Sequence, residues 1–484
     1  MIPFSIECRE GTALFDGERS HTYPELAAAV EEIAAQLCSS GAKTVGIALD
    51  NGPLWGALDL AALHAGLICV PLPGFFSPAQ LGHVIQDAGI DAILTDRADF
   101  FSELLGDKVL HVAAHKSAFG NYALMRCAAS PAKVPLGTVK ITYTSGTTGR
   151  PKGVCLSRQS IETVANSLLQ ASNADADYRY LSVLPLSTLL ENIGALYVPL
   201  LAGATCVLLP LNEVGLEGAT KFDAAKMVRA FEKYKANCAI LTPQLLQSML
   251  ALGHPLPDLR FLAVGGAPVS KRLLEQAEEQ GVPVFEGYGL SECASVVSLN
   301  TRESRRIGSA GRPLPHVALK YTEDDEILVK GAVMLGYCGG EAIDGYWPTG
   351  DTGYLDKDGY LHLTGRKKNL FITSYGRNVA PEWVESELTV HPAVLQAAVF
   401  GEGRPWNVAV IVPKDASLID DAVRKANGAL PDYARIGKWL IADTPFLPQN
   451  GQLTTNGRLK RDAIWPHYRE KIEALYGEEH GVLR

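Results

Sequence analysis

The chain has 484 residues, 47% of them hydrophobic and 20% charged, with a formal net charge of -9. That length exceeds what one core supports, so two or more domains are expected, of ordinary globular composition. The acidic balance, without any Lys/Arg cluster, excludes a nucleic-acid surface.

Strand-like and helix-like runs alternate through the first half. TYPELAAAVEEIAAQL has helical periodicity, TVGIALD reads as a strand, PLWGALDLAALHAG as a helix and DAILTD as a strand. AKMVRAFEKYKA, CAILTP, LLQSML and LRFLAVGG continue the pattern to Gly266. Such alternation predicts an α/β fold with largely parallel sheets, whose ligand sites lie at the carboxyl ends of the strands. Ile193 to Leu211 carries no charge, and its nineteen residues approach the length of a membrane span. Pro199, Gly203 and Pro210 divide it and no basic flank follows, so a buried helix, a stop at Gly203 and a buried strand TCVLL are expected, with no membrane span.

From about Gly308 the character changes to short strands with turn signals such as Asp358-Gly359, which predicts a small β-rich subdomain over about 305–365. Beyond Arg366 the chain reads as α+β, which puts a boundary between an N-terminal core, 1–366, and a C-terminal lid, 367–484. Nine dispersed cysteines with no C-x-x-C pair read as reduced thiols of a cytoplasmic protein. The start, MIPFSIECREG, has no basic and apolar regions of a secretory leader.

YTSGTTGRPKG, Tyr143 to Gly153, follows the strand-like VKITYT. Glycines leave backbone N–H groups free to face an anion, hydroxyls add donors and lysine adds a point charge, a composition that suits phosphate. The spacing is not that of a P-loop, so on its own the stretch is either a different phosphate grip or a Gly/Ser/Thr turn. Four further segments accompany it: FLAVGGAPVS (Phe261–Ser270), EGYGLSE (Glu286–Glu292), TGDTGYLDKDGYLHLTGRKKN (Thr349–Asn369) and LTTNGRLKRDAI (Leu453–Ile464).

In this order and spacing the segments resemble the adenylate-forming superfamily of acyl-CoA synthetases, luciferases and peptide-synthetase adenylation domains. The resemblance implies a large domain of parallel-rich sheets flanked by helices with a small β subdomain, then a small mobile α+β C-terminal domain. It implies chemistry in which a carboxylate attacks the α-phosphorus of ATP, pyrophosphate leaves, and a thiol displaces AMP. Ser145, Gly146, Thr147, Thr148, Gly149 and Lys152 would then embrace the β- and γ-phosphates, with Thr148 among the catalytic groups. Gly266, Ala267 and Pro268 would border the adenine, Tyr288 within Glu286-Gly287-Tyr288-Gly289 would stack on it, and Glu286 would lie near its exocyclic amine. Ser291 would sit near the α-phosphate and Glu292 would hold Mg2+. Asp351 would accept from the ribose hydroxyls, with Arg366 alongside. Lys368 falls at the hinge position and Gly376 where a pantetheine arm passes the backbone. Each has a plainer alternative: core aromatic for Tyr288, turn aspartate for Asp351, solvated charge for Lys368 and glycine turn for Gly376.

Two positions depart from the pattern. Where many acyl- and aryl-CoA ligases carry a histidine bordering the carboxylate, LPLSTLLENIG has Thr188. Glu191 is the nearest acid there, so the ammonium of an α-amino acid would lack a partner, and burying it unpaired is costly. Most relatives place a catalytic lysine directly after the glycine of the C-terminal motif. Here that place is Arg458, with Lys460 two residues on. Direct alignment puts Arg458 in the lysine's place, but the chemistry of a point donor makes Lys460 the expected catalytic cation. The C-terminal tail most resembles medium- to long-chain fatty acyl-CoA synthetases. The expected function is an ATP- and Mg2+-dependent ligase joining a hydrophobic, medium- or long-chain aliphatic acid to CoA or to the phosphopantetheine of an acyl carrier protein. Its rivals are an adenylating enzyme with a non-thiol acceptor or ring closure, and a nucleotide-binding homologue with little turnover.

Overall fold

The computed structural model describes residues 3–144, 151–217, 221–454 and 457–477. Ser145, Gly146, Thr147, Thr148 and Gly149 therefore lie outside the described residues, while Lys152 lies inside.

Two large sheets form the N-terminal part. The first runs in the order Gly336–Tyr337, Lys152–Ser157, Thr138–Thr144, Ile68–Pro71, Thr44–Ala48, Ala92–Thr95, Gly120–Cys127 and Val109–Ser117. Its middle is parallel, as the alternating pattern requires, and antiparallel strands flank it on both sides. The second sheet has parallel pairing from Val284–Tyr288 through Phe261–Val264, Cys238–Leu241, Arg179–Leu181 and Thr205–Val207 to Thr12–Phe15. A continuous apolar core joins them, with Leu156 of one sheet and Phe285 of the other in the same cluster as Trp55 and Leu196.

Local chemistry sets the helices. Thr22 caps Tyr23–Ser39 through a reciprocal exchange with Glu25, and Leu26, Val30, Ile33 and Leu37 of that helix are buried. The uncharged stretch from 193 to 211 becomes helix and strand as expected, but its first turns, Asn192–Tyr197, are wound as a π-helix. Among the described residues no helix is long and apolar enough to cross a membrane.

A buried polar cluster ties that wide turn to the first sheet. Lys140, fully enclosed, donates to Asp59 Oδ1 at 2.6 Å, Asn192 Oδ1 at 2.5 Å and the Tyr197 hydroxyl at 2.6 Å. Tyr197 also donates to Asp59, and Cys69 Sγ lies 3.3 Å from Asp59 Oδ1. The ammonium thus has three oxygen acceptors, which is what makes a charge tolerable without water.

Beyond residue 317 a four-stranded antiparallel sheet is built from Ala318–Tyr321, Glu326–Lys330, Trp347–Leu355 and Leu361–Arg366. Gly336–Tyr337 leaves this run and pairs with Lys152–Ser157 in the first large sheet. The last part holds the sheet Val394–Phe400, Asn407–Pro413, Ile436–Ile441, with Pro381–Thr389 and Ile419–Ala429 packed into its core and Ile464, Tyr468 and Ile472 of Arg461–Gly477 in a second cluster.

Candidate active site

Strands carry several of the sequence-predicted residues: Glu286 and Tyr288 lie on Val284–Tyr288, Asp351 on Trp347–Leu355 and Arg366 on Leu361–Arg366. Val284–Tyr288 runs into a loop folded tightly on itself, where a Cβ on Gly289 would lie 1.7 Å from the Ser295 carbonyl oxygen. Only glycine fits there. The short 3-10 turn Ser291–Cys293 follows, and Ala294 and Ser295 both take positive φ, 50° and 101°. Non-glycine residues held in that region cost of order 1–3 kcal/mol each, so the surrounding structure must enforce the turn that presents Glu292.

Glu292 accepts from the Tyr337 hydroxyl at 2.9 Å through Oε1 and makes no other side-chain hydrogen bond among the described residues. Lys152 lies exposed with its ammonium 5.6 Å from the centre of the Tyr337 ring. The strands on either side of residues 145–150 are tied to each other and to their neighbours. Thr144 pairs with Lys152, the Tyr143 hydroxyl donates to Asp87 at 2.6 Å, and His83 Nε2 is 3.1 Å from the Pro151 carbonyl oxygen.

Asp351 is buried and held at both oxygens, by the Tyr288 hydroxyl at 2.8 Å and by Arg366 Nε at 2.8 Å. Tyr288 itself is buried in a cluster with Val297, Ile327 and Leu361, so it serves as core aromatic and as donor to Asp351. Glu286 turns one enclosed oxygen into the protein with no hydrogen-bond partner among the described residues, and burial pushes its pKa up to about 8. Gly287 lies between them, with a would-be Cβ 3.0 Å from Leu299. Gly266 takes φ +80° after Phe261–Val264, followed by Ala267 and the exposed Pro268.

The C-terminal segment reaches this region. Arg458 Nη2 donates to the Gly266 carbonyl oxygen at 3.2 Å. Water reaches the guanidinium although protein lies densely around it; desolvation and neighbouring Arg366 push its pKa below the usual arginine range, opposed by Asp351 and Glu292. Lys460 has no side-chain hydrogen bond or ion pair among the described residues. The next residue, Arg461, is tied to Glu382 at 3.0 Å and to Glu385. Lys368 is exposed; desolvation and the two arginines Arg366 and Arg458 lower its pKa. A cleft of about 330 Å³ is lined by Thr349, Gly350, Arg366, Lys367 and Lys368. Gly376, φ +70°, sits in the exposed turn between Phe371–Ile372 and Asn378–Val379, with open space where a Cβ would be.

The segment with the substituted histidine position follows the strand Arg179–Leu181 of the second sheet. Thr188 opens the helix Leu189–Glu191, its hydroxyl donating to the Pro185 carbonyl at 2.7 Å. Glu191 turns into the interior, fully buried, where desolvation pushes its pKa up to about 8. It accepts from the Leu184 amide at 3.3 Å, and its other oxygen has no hydrogen-bond partner among the described residues. A carboxyl in that state is mostly neutral at pH 7 and offers no counter-charge to an ammonium.

The donor set suits a hard cation shared with phosphates. Mg2+ is held by one or two carboxylates together with substrate phosphate oxygens, and Glu292 presents one carboxylate with its second oxygen uncommitted among the described residues. No group of three or more His, Cys, Asp and Glu converges among the described residues to form an all-protein cage.

Residues 7–340 match the model of the AMP-binding enzyme family, and residues 368–480 match its C-terminal domain. This chain belongs to the AMP-binding enzyme family. It is 28% identical to a long-chain-fatty-acid–CoA ligase of Mycobacterium bovis, over 88% of this chain and 86% of the relative. It is 30% identical to the 2-succinylbenzoate–CoA ligase of Bacillus subtilis, over 94% and 95% of the two chains. The indoleacetate–CoA ligase of Aromatoleum aromaticum is also 30% identical, over 84% and 86%. Among AMP-binding enzymes of known structure, o-succinylbenzoate CoA synthetase from B. subtilis in complex with its acyl-adenylate intermediate superposes with a TM-score of 0.75 at 26% identity, covering 94% and 95%. The same enzyme in complex with ATP and magnesium ion gives 0.74 at 26% identity, covering 94% and 96%.

Tyr337 was not legible as a site residue, because its role depends on a strand pairing across the sheet. The Lys140–Asp59 pair was equally hidden: lysine in an alternating run reads as a solvent-facing position.

Proposed function

We propose that this chain is an ATP- and Mg2+-dependent acid–thiol ligase that activates a hydrophobic, medium- or long-chain aliphatic carboxylic acid and passes it to CoA. The observation that carries the reading is Arg458 reaching the Gly266 carbonyl, which puts a cation from the C-terminal segment at the turn after Phe261–Val264, within electrostatic reach of Asp351, Arg366 and Glu292. That arrangement suits the first half-reaction. A substrate carboxylate oxygen attacks the α-phosphorus of ATP, the bond to pyrophosphate breaks, and an acyl-adenylate results.

Asp351, oriented by Tyr288 and Arg366, would take the ribose hydroxyls, and Gly266–Pro268 would border the adenine. Lys152 and the hydroxyls and amides of 145–149 would hold the departing phosphates. Mg2+ bound at Glu292 would neutralise phosphate charge as the bond breaks. Arg458, beside the position of the α-phosphate in this reading, is the cation that the geometry favours over Lys460. Catalysis of this kind is chiefly positioning and electrostatic stabilisation. In the second half-reaction a thiol sulfur attacks the acyl carbon and AMP leaves. For that step the C-terminal lobe, 367–484, would pivot near Lys368 and bring Gly376 to the cleft.

The acid side supports an uncharged substrate tail. Thr188 carries no charge, burial disfavours the charged form of the inward-turned Glu191, and Leu189 and Ile193 are buried. Similarity to a fatty-acid ligase points the same way, and similarity to ligases of aryl acids makes those the acids to compare. The test is to incubate the protein with ATP, Mg2+, CoA and single acids and look for the acyl-CoA by mass spectrometry. Acyl-CoA from aliphatic acids is expected. Transfer to carrier protein with none to CoA would overturn the CoA assignment, and AMP release that needs no thiol would favour a non-thiol acceptor.

A further inference from the structure

Tyr337 touches both groups that would meet the phosphates. Its hydroxyl donates to Glu292 Oε1 at 2.9 Å, and its ring face lies 5.6 Å from the Lys152 ammonium. The ring edge is backed by Trp347, with centroids 5.9 Å apart at 73°. The backbone around it is pinned at several points. Tyr337 pairs with Val154 in the strand Lys152–Ser157, and the Leu335 and Cys338 amides donate to Cys155 and Gly153, each at 2.8 Å. The Met334 amide donates to the Glu292 carbonyl at 2.7 Å, so the same short segment also holds the Glu292 backbone.

We propose that Tyr337 is a positioning residue that fixes the Glu292 carboxylate for the divalent cation and the Lys152 ammonium for the phosphates. The inference rests on the reading of Glu292 as the Mg2+ carboxylate. A glutamate carboxylate on a stem of three torsions samples many orientations; one donor on Oε1 restricts them, while Oε2 stays uncommitted among the described residues. Outer partners of this kind typically account for a factor of about 10–100 in metal affinity or activity. The ring adds a cation–π contact, of order 0.5–1 kcal/mol at an exposed site, that restrains an otherwise mobile lysine.

The test is Mn2+ binding to the enzyme–ATP complex, without acid or thiol, read from the electron paramagnetic resonance signal of free Mn2+. Metal-free ATP binding is measured by calorimetry in parallel, and thermal unfolding reports folding. Tyr337→Phe keeps the ring and loses the donor; about a tenfold weaker Mn2+ affinity with unchanged metal-free ATP binding and unchanged unfolding is expected. Tyr337→Leu loses both contacts and is expected to weaken Mn2+ and ATP binding alike. Wild-type Mn2+ affinity in either variant overturns the proposal. Glu292→Gln separates the two readings: if it weakens Mn2+ while Tyr337→Phe does not, positioning fails and the metal assignment stands. If neither weakens Mn2+, both fail.

Discussion

Arg458 donates to the carbonyl oxygen of Gly266 at 3.2 Å, joining positions 192 residues apart across the cleft. Lys460, two residues on, has no such contact among the described residues, and Arg461 after it is tied to Glu382 and Glu385. Arg458→Ala is expected to reduce adenylate formation on the order of 10²–10³-fold, the usual cost of removing one electrostatic stabiliser. Lys460→Ala is expected to leave the rate nearly unchanged. Pre-steady-state release of pyrophosphate distinguishes them, and the reverse pattern would assign the role to Lys460.

The Lys140–Asp59 pair holds the π-helical turn against the first sheet from the inside. Lys140→Met leaves a buried carboxylate without its partner and is expected to destabilise by about 3–5 kcal/mol. Asp59→Leu combined with Lys140→Met removes both charges and is expected to cost less than the single change, a non-additivity that denaturant unfolding measures directly.

Glu191 gives a pH signature. Its pKa in the folded chain is pushed up to about 8 by burial, above the ordinary glutamate value. Between those values the folded state keeps a proton that the unfolded state releases, so this group's contribution to stability falls as pH rises and the fall is complete above about 8. Glu191→Gln cannot ionise. The loss of thermal stability between about pH 6 and about pH 9 is therefore expected to be smaller in Glu191→Gln than in the parent chain.

Much of the framework was legible in the sequence because it follows from periodicity and turn chemistry. The helix Tyr23–Ser39, the strand Thr44–Ala48 and the helix Pro53–His64 fall where their patterns put them. The uncharged stretch after Ile193 divides at Gly203, whose φ of +75° is the left-handed stop expected of glycine. The π-helical winding at Asn192–Tyr197 was not legible, since it accompanies hydrogen bonds to Lys140 and Asp59 from other elements. Glu292 stood out in EGYGLSE, whereas Tyr337 did not, because nothing local in MLGYCGG says that its strand leaves the β-rich run to join the first sheet. Likewise alignment and chemistry point to different cations, Arg458 and Lys460, and the sequence does not show that Arg458 reaches the Gly266 carbonyl.

The most direct measurement is ATP–pyrophosphate exchange across fatty, hydroxy-fatty and aryl acids, with Mg2+ and no thiol. Exchange that requires an added acid and is strongest with medium- or long-chain aliphatic acids is the expected result. Tight ATP binding with no exchange for any acid would contradict an acid-activating enzyme and favour a nucleotide-binding homologue.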